Sequence, residues 1–424
     1  MIAAIAFFLL LLLGVPIAFV LGLTTLIFVI STGNIAVFES MPSRMYNGLQ
    51  TFGLVAIPMF ILLGEVMNRG GITERLIEFC QTILAHLRGG LAYVNVLANM
   101  ALASIVGSAN AQTAIMSKTM VPSMEKEGYK REFSTALTAS SSIIGPLIPP
   151  SMPFIVYGVT AGVSIGSLFL AGIVPGIFFG LGFSIAIYFI AKKQNLPTSE
   201  KSEWTHILKS TLNVLPALII PVFILVGITT GAFTATESAA VAVFIAFLVG
   251  FFFYKQLKLK DLPKLFFQTV ITSSAVTFLL ATSNIFGWVL SVQRVPQMVA
   301  EVFLGLTENP LIFLLLINIL LLIIGMVIDG LAALILLTPI LLPIAVQFGV
   351  DPIHFGVIMV INLTLGLMTP PVGTVLFIAS STAKVKVETL IRSIAPFLII
   401  SFVILLIITY MPWTSLSIPT LFNR

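Results

Sequence analysis

Apolar stretches long enough to cross a lipid bilayer recur throughout this 424-residue chain. A membrane core about 30 Å thick needs about 20 such residues in helical form. Inside that core the backbone must satisfy its own hydrogen bonds, which a helix does segment by segment. Candidate spans lie at 2–31, 52–69, 132–160, 167–191, 210–230, 234–254, 265–290, 354–382 and 390–412. Two further apolar stretches, 90–122 and 309–346, carry a polar break in the middle. Each reads as a helical hairpin that enters the membrane and returns to the same side. The expected fold class is therefore an all-α polytopic membrane protein. Composition agrees: 58% of residues are hydrophobic and 9% are charged, where a soluble domain carries about 25% charged. So few charges do not cover a water-facing surface.

The first 30 residues lack the basic start and small-residue cleavage site of a signal peptide, and read as a retained span. Cys80, the single cysteine, excludes an internal disulfide and reads as a packing residue. The net charge of +5 does not point to nucleic acid, because the basic residues sit in a few short loops, the footprint of membrane orientation. Lys192, Lys193, Lys201 and Lys209 mark one cytoplasmic loop; Lys255, Lys258, Lys260 and Lys264 mark another. The turn 227–238 between them has no Lys or Arg and faces out. Counting spans from these loops puts Arg69, Arg75, Arg88, Lys126, Lys130, Arg131, Lys384, Lys386 and Arg392 inside, with Asp351 outside. The N-terminus is then expected in the cytoplasm and the C-terminus outside. Arg44 and Arg294 fall on the outer side, against the trend.

The chain also resembles itself at a shift of 221 residues. Pro122 matches Pro343, Gly128 matches Gly349, Gly145 matches Gly366, and Pro149-Pro150 matches Pro370-Pro371. Ser108 falls opposite Asp329, each at a hairpin break. The basic loop 126–131 corresponds to the weakly acidic 348–354, and the uncharged turn 161–167 to the basic 384–392. Loop charge thus gives the copies opposite orientations, as in the inverted repeats of secondary transporters. A first repeat, 1–191, holds two spans, the hairpin 90–122, the broken helix 132–160 and one span. A basic loop and linking span, 192–233, lead to a second repeat, 234–424, with two spans, the hairpin 309–346, the broken helix 354–382 and a last span.

A proline removes one helix donor and displaces the carbonyl four residues earlier. Pro149 and Pro370 act in this way on Gly145 and Gly366, where no side chain keeps an ion from the oxygen. The hairpin breaks add Ser104, Ser108, Asn110 and Thr113 in one copy, and Asp329 with carbonyls from Gly325 onward in the other. Carbonyl and hydroxyl oxygens around a small cavity suit a monovalent cation such as sodium; magnesium or zinc would want more carboxylates or histidines. An aspartate in a membrane-embedded segment is costly, about 2.5–3.5 kcal/mol on insertion scales, so Asp329 needs a partner. The plainer reading of Asp329, and of Asn110, is a helix cap, compatible with ion binding. Half-helix N-termini after the breaks favour a carboxylate substrate. Glu65 and Glu237 read as solvated or capping groups, and His86, His206 and His354 as non-ligands. No phosphate-binding loop is present. Ser108 as the nucleophile of an intramembrane hydrolase is the alternative from another class, but the topology places no His or Lys base near it, and Lys118, a base in principle, reads as snorkelling toward the cytoplasm.

These residues resemble the large membrane subunit of the tripartite ATP-independent periplasmic (TRAP) transporters along nearly the whole chain. The resemblance rests on the order and spacing of Gly14-Val15-Pro16-Ile17-Ala18-Phe19, Ile57-Pro58-Met59-Phe60, Gly107-Ser108-Ala109-Asn110, Ile148-Pro149-Pro150-Ser151, Leu337-Thr338-Pro339 to Pro343, and Met368-Thr369-Pro370-Pro371-Val372-Gly373. It implies an elevator, in which both hairpins and both broken helices slide against a scaffold of the remaining spans. It implies sodium sites at Ser104, Ser108, Asn110, Gly145, Gly325, Asp329, Gly366 and Thr369. It implies two partners in a bacterial inner membrane system: a small integral membrane subunit, expected here as a separate polypeptide, and a periplasmic substrate-binding protein. Family substrates are mostly carboxylates, and the chain looks closest to the sialic-acid branch. A stand-alone sodium/dicarboxylate symporter of the same architecture is the alternative within transport.

Overall fold

The computed structural model describes residues 2–33, 35–198 and 203–422; Lys201 of the first basic loop lies outside them. Helix is the only regular structure among the described residues. The first copy runs through α1 (Ile2–Leu12), α2 (Ile17–Thr32), α3 (Ile35–Asn47), α4 (Ala56–Arg69, entered by a 3-10 turn at Phe52–Val55) and α5 (Ile72–Leu84). It continues with α6 (Gly90–Val106), α7 (Ala109–Lys126), α8 (Arg131–Ser142), α9 (Met152–Ala161) and α10 (Ile165–Gln194). After α11 (Trp204–Thr229) come α12 (Ala235–Leu248, prolonged by a π turn, Val249–Phe253), α13 (Leu262–Val292) and α14 (Val295–Leu306). The chain then forms α15 (Pro310–Val327), α16 (Gly330–Gln347), α17 (Pro352–Gly366), α18 (Thr374–Ala383), α19 (Val387–Tyr410) and α20 (Trp413–Phe422).

Among the described residues, eight helices are long and apolar enough to cross a bilayer. The chain is a polytopic all-α protein. Its outer surface fits that solvent: on α11 a stripe of Leu208, Leu212, Leu215, Ile219, Val222 and Val226 is half exposed or more, apart from Ile219 at 49%. In water such a stripe is an association site; against lipid it is ordinary surface. Inside, Phe133, Phe183 and Phe397 join α8, α10 and α19 through ring contacts of 5.8 and 6.3 Å.

The 221-residue shift reappears in the elements. Helices α7 and α16 begin and end at that separation, and α6, α8, α9 and α10 begin within one residue of it from α15, α17, α18 and α19. Arg131, at the start of α8, donates through Nε to the carbonyl of Ala383 at the end of α18 (2.8 Å). Tyr157, near the end of α9, donates its hydroxyl to the carbonyl of Pro352 at the start of α17 (2.6 Å). Start meets end both times, so the broken helices 131–161 and 352–383 run antiparallel. The contacts are reciprocal: α7 packs on α18 as α16 packs on α9.

One expected span does not form. Residues 2–31 are two helices, because Gly14 turns at φ +73° and Pro16 brings no N–H to the helix that follows. Ala3, Ala4, Phe7 and Phe8 share a cavity with Thr24, Thr25 and Phe28, whereas a continuous helix sets Ala4 and Thr25 about 30 Å apart. Helix α1 is thus doubled back on α2. The span count behind a cytoplasmic N-terminus assumed one continuous helix here, where two short ones stand. Helix α5 was not anticipated either; it is amphipathic, burying Ile72, Leu76, Ile77 and Cys80.

Candidate functional site

Each hairpin turns where a polar residue interrupts the apolar run. Helix α6 closes on Gly107, left-handed at φ +59°. A Cβ there would stand 3.4 Å from both the Met152 nitrogen and the Pro150 carbonyl oxygen. Ser108 then caps α7, its side chain accepting from the Ala111 amide at 3.5 Å. In the second copy Asp329 caps α16: its Oδ1 accepts from the amides of Leu331 (3.0 Å) and Ala332 (3.4 Å). The broken helices restart in the same region. Ser151 caps α9, accepting from the Phe154 amide at 3.4 Å, and Thr374, first residue of α18, donates to Asn110 Oδ1 at 2.9 Å.

A cavity of about 60 Å³ lies between the two hairpin tips, lined by Ser108, Asn110, Pro146, Pro153, Asp329 and the apolar Leu334 and Leu363. The N-termini of α7, α9 and α16 all border it, and Asn110 ties α18 to them. Partial positive charge from several helix ends therefore meets in one small space. The fold brings Ser108, Asn110 and Asp329 together from positions more than two hundred residues apart in sequence. The other hydroxyls stand further back. Ser104 donates to the Ala101 carbonyl (2.8 Å), Thr113 to Ala109 (2.7 Å) and Thr369 to Leu365 (2.7 Å). Pro149 and Pro150 are buried, while Pro371 is exposed.

The two matched glycines sit where neighbouring protein atoms press close. A Cβ on Gly145 would stand 2.4 Å from Gln112 Oε1, and one on Gly366 would stand 2.4 Å from the carbonyl carbon of Gly325. The missing side chains admit neighbouring protein atoms. The Gly366 carbonyl accepts one hydrogen bond, from the Thr369 amide at 3.0 Å, and keeps its second lone pair.

Sequence reasoning missed the amides behind the tips. Gln112 Nε2 donates to Asn99 at its carbonyl (2.6 Å) and at Oδ1 (2.8 Å), and Asn95 Nδ2 donates to Thr138 Oγ1 (2.6 Å). All four are buried, and they hold α6, α7 and α8 in register. In the second copy Asn362 donates to Asn318 Oδ1 (2.7 Å), and Asn318 donates to Thr409 Oγ1 (3.1 Å). The available signal was an amide pair at i, i+4, Asn95 and Asn99, inside an apolar helix. His354 is likewise a packing group, with its ring nitrogens at Ser415 Oγ (2.6 Å) and the Thr409 carbonyl (3.2 Å).

A second cavity, about 340 Å³, reaches from Ser108, Pro150 and Leu331 to Glu65 and Asn68 on α4 and Gln268 and Thr272 on α13. Glu65 lines this space and pairs with Arg69 at 3.6 Å, whereas Glu237 caps α12 in a reciprocal box with Thr234.

Residues 4–414 match the family model described as tripartite ATP-independent periplasmic transporter, DctM component. The chain is 38% identical over 409 residues to the sialic acid TRAP transporter large permease protein of Vibrio cholerae, covering 96% of each. It is 37% identical over 401 residues to the 2,3-diketo-L-gulonate TRAP transporter large permease protein of Escherichia coli, covering 94% of each. Among solved structures, the YdaH transporter of Alcanivorax borkumensis superposes with a TM-score of 0.65 over 92% of this chain and 90% of its own, at 14% identity, a likeness of fold alone. The chain therefore belongs to the DctM component family of the TRAP transporters: it is a multi-pass membrane transport subunit of a tripartite system and not an enzyme.

Proposed function

We propose that this protein is the large permease of a sodium-coupled secondary transporter that imports a small carboxylate anion across a bacterial inner membrane. The observation that carries this reading is the shared cavity at the hairpin tips, where Ser108, Asn110 and Asp329 meet several helix N-termini. Helix ends attract a carboxylate, and oxygen ligands beside them attract sodium, so each ion strengthens the binding of the other. The sodium ligands are Ser104, Ser108, Asn110 and Gly145 in one copy, and Gly325, Asp329, Gly366 and Thr369 in the other. Ser104 and Thr369 donate their single protons to helix carbonyls, which leaves their oxygen lone pairs available to a cation. Thr113 and the two Pro-Pro pairs shape the same region.

In this reading both hairpins are re-entrant, and α6–α9 with α15–α18 slide as a body against the other helices. The larger cavity then opens toward the basic loops, the cytoplasmic side. A periplasmic binding protein delivers the substrate, and a small membrane subunit completes the complex. Sialic acid is the first substrate to try, since a large permease named for it is 38% identical along nearly the whole chain.

Reconstitution tests this. Vesicles holding both membrane subunits should take up labelled sialic acid or a dicarboxylate only with an inward sodium gradient and a loaded binding protein. Uptake that survives collapse of the gradient removes the sodium coupling. Uptake without any binding protein points instead to the stand-alone symporter.

A further inference from the structure

Helix α13 carries one face along most of its length. Gln268, Thr272 and Val276 line the 340 Å³ cavity; Leu280, Ser283, Asn284, Gly287 and Ser291 continue that face, at steps of three and four, into a separate cavity of about 380 Å³. Helix α16 answers with Leu331 at the first cavity and Ile335 and Pro339 at the second. The two cavities are the ends of a single seam, and Ser283 Oγ donates across it to the Ile335 carbonyl at 3.2 Å. The second cavity lies about 25–40 Å along α13 from Lys264, at the end away from the basic loops.

Its polar lining is Asn47, Thr51, Thr160, Ser283, Asn284 and Ser291. These are hydroxyls and carboxamides, and no carboxylate is among them. A Cβ on Gly48 would stand 2.7 Å from Asn284 Cγ, so the end of α3 is seated on this stretch of α13. One turn further, the Arg44 guanidinium lies over the Trp288 ring, 3.9 Å from its centroid. The Arg44 Nε is buried without a hydrogen-bond partner, and among the described residues Arg44 forms no ion pair. This is one of the two arginines that break the orientation pattern of the loops.

A cation pinned on an aromatic ring, beside a pocket of hydroxyls and amides and lacking a counter-charge, is equipped to hold an anion that also bears hydroxyl groups. We infer that the cavity is a second binding site of the transporter, for the carboxylate of a hydroxylated organic acid. Arg44 takes the carboxylate at the mouth, and Asn284 and Ser283 take hydroxyls within. The inference rests on the transport reading and deepens it: the anion is held at the far end of the α13–α16 seam before it reaches the hairpin tips.

Trp288 is a built-in reporter. In the full chain carrying Trp204→Phe and Trp413→Phe, in nanodiscs, titration with N-acetylneuraminate should give a saturable change in tryptophan emission. Arg44→Gln should weaken the apparent affinity about tenfold or more, as expected for loss of a charged hydrogen bond. Arg44→Lys should weaken it less, and Asn284→Leu should weaken it with Arg44 intact. Equal affinity in Arg44→Gln and the parent overturns the inference, as does no saturable change, or one that chloride reproduces at the same concentration. Uptake by the reconstituted complex keeps the two readings apart. Vesicles that import the acid while Trp288 stays silent retain the transporter and lose this site; vesicles that import no organic acid lose the transport reading itself.

Discussion

Asp329 closes the first turn of α16 and lines the cavity between the tips with the same carboxylate. Two substitutions separate those roles. Asn caps as well as Asp, so Asp329→Asn keeps the turn and loses the charge, while Asp329→Ala loses both, at about 0.5–2 kcal/mol of stability. Both should raise the sodium concentration for half-maximal uptake severalfold, and only Ala should lower the melting temperature. Wild-type sodium dependence in Asp329→Asn makes the residue a cap and nothing more. Gln112 is the second test at this scale. Replacing it with Leu removes two hydrogen bonds to Asn99, whose Oδ1 keeps the Ser142 hydroxyl, at about 0.5–1.5 kcal/mol each; an unshifted melting temperature would show the amide contacts to be incidental. Ser108 and Asp329 were legible in the sequence because each interrupts an apolar run. Gln112 was not, because its partner sits thirteen residues back on the other arm of the hairpin.

At the scale of elements, the breaks followed from chain chemistry and the contacts across them did not. The proline pairs follow the ends of α8 (Ser142) and α17 (Gly366) and, lacking donors, keep either helix from running on through them. What Gly325 and Gly366 do depends on α15 lying against α17, backbone to backbone. A valine at 366 has no room: its Cβ alone falls 2.4 Å from the Gly325 carbonyl carbon. Gly366→Val should force α15 away from α17, abolish uptake and lower stability by about 1–3 kcal/mol. Gly305→Val on α14, where a Cβ meets nothing within 4 Å, is the matched control. Normal uptake by Gly366→Val would mean that this crossing tolerates separation.

For the whole molecule, the antiparallel course of 131–161 and 352–383 predicts that the loops after α7 and α16 lie on opposite faces of the bilayer. Glu127→Cys and Gln347→Cys, both at exposed positions, should react with a membrane-impermeant maleimide from opposite sides of oriented vesicles. The native Cys80 does not interfere: burial pushes its thiol up to about 12, so at neutral pH it stays protonated and unreactive. Labelling of both positions from one common side would sink the inverted arrangement, and the shared cavity would lose its symmetric origin.

The sequence by itself determined that the chain lives in lipid, that it is built twice at a fixed shift, and where its helices break. Those properties are local: apolar length sets a span, and a proline or a lone polar residue interrupts one regardless of its neighbours. Tertiary structure alone decided that two glycines seat a glutamine and a facing backbone, and that α13 and α16 share a seam ending beside Arg44. Each of these is a contact between atoms far apart along the chain, and the shape of such a contact is not written in either partner's own segment.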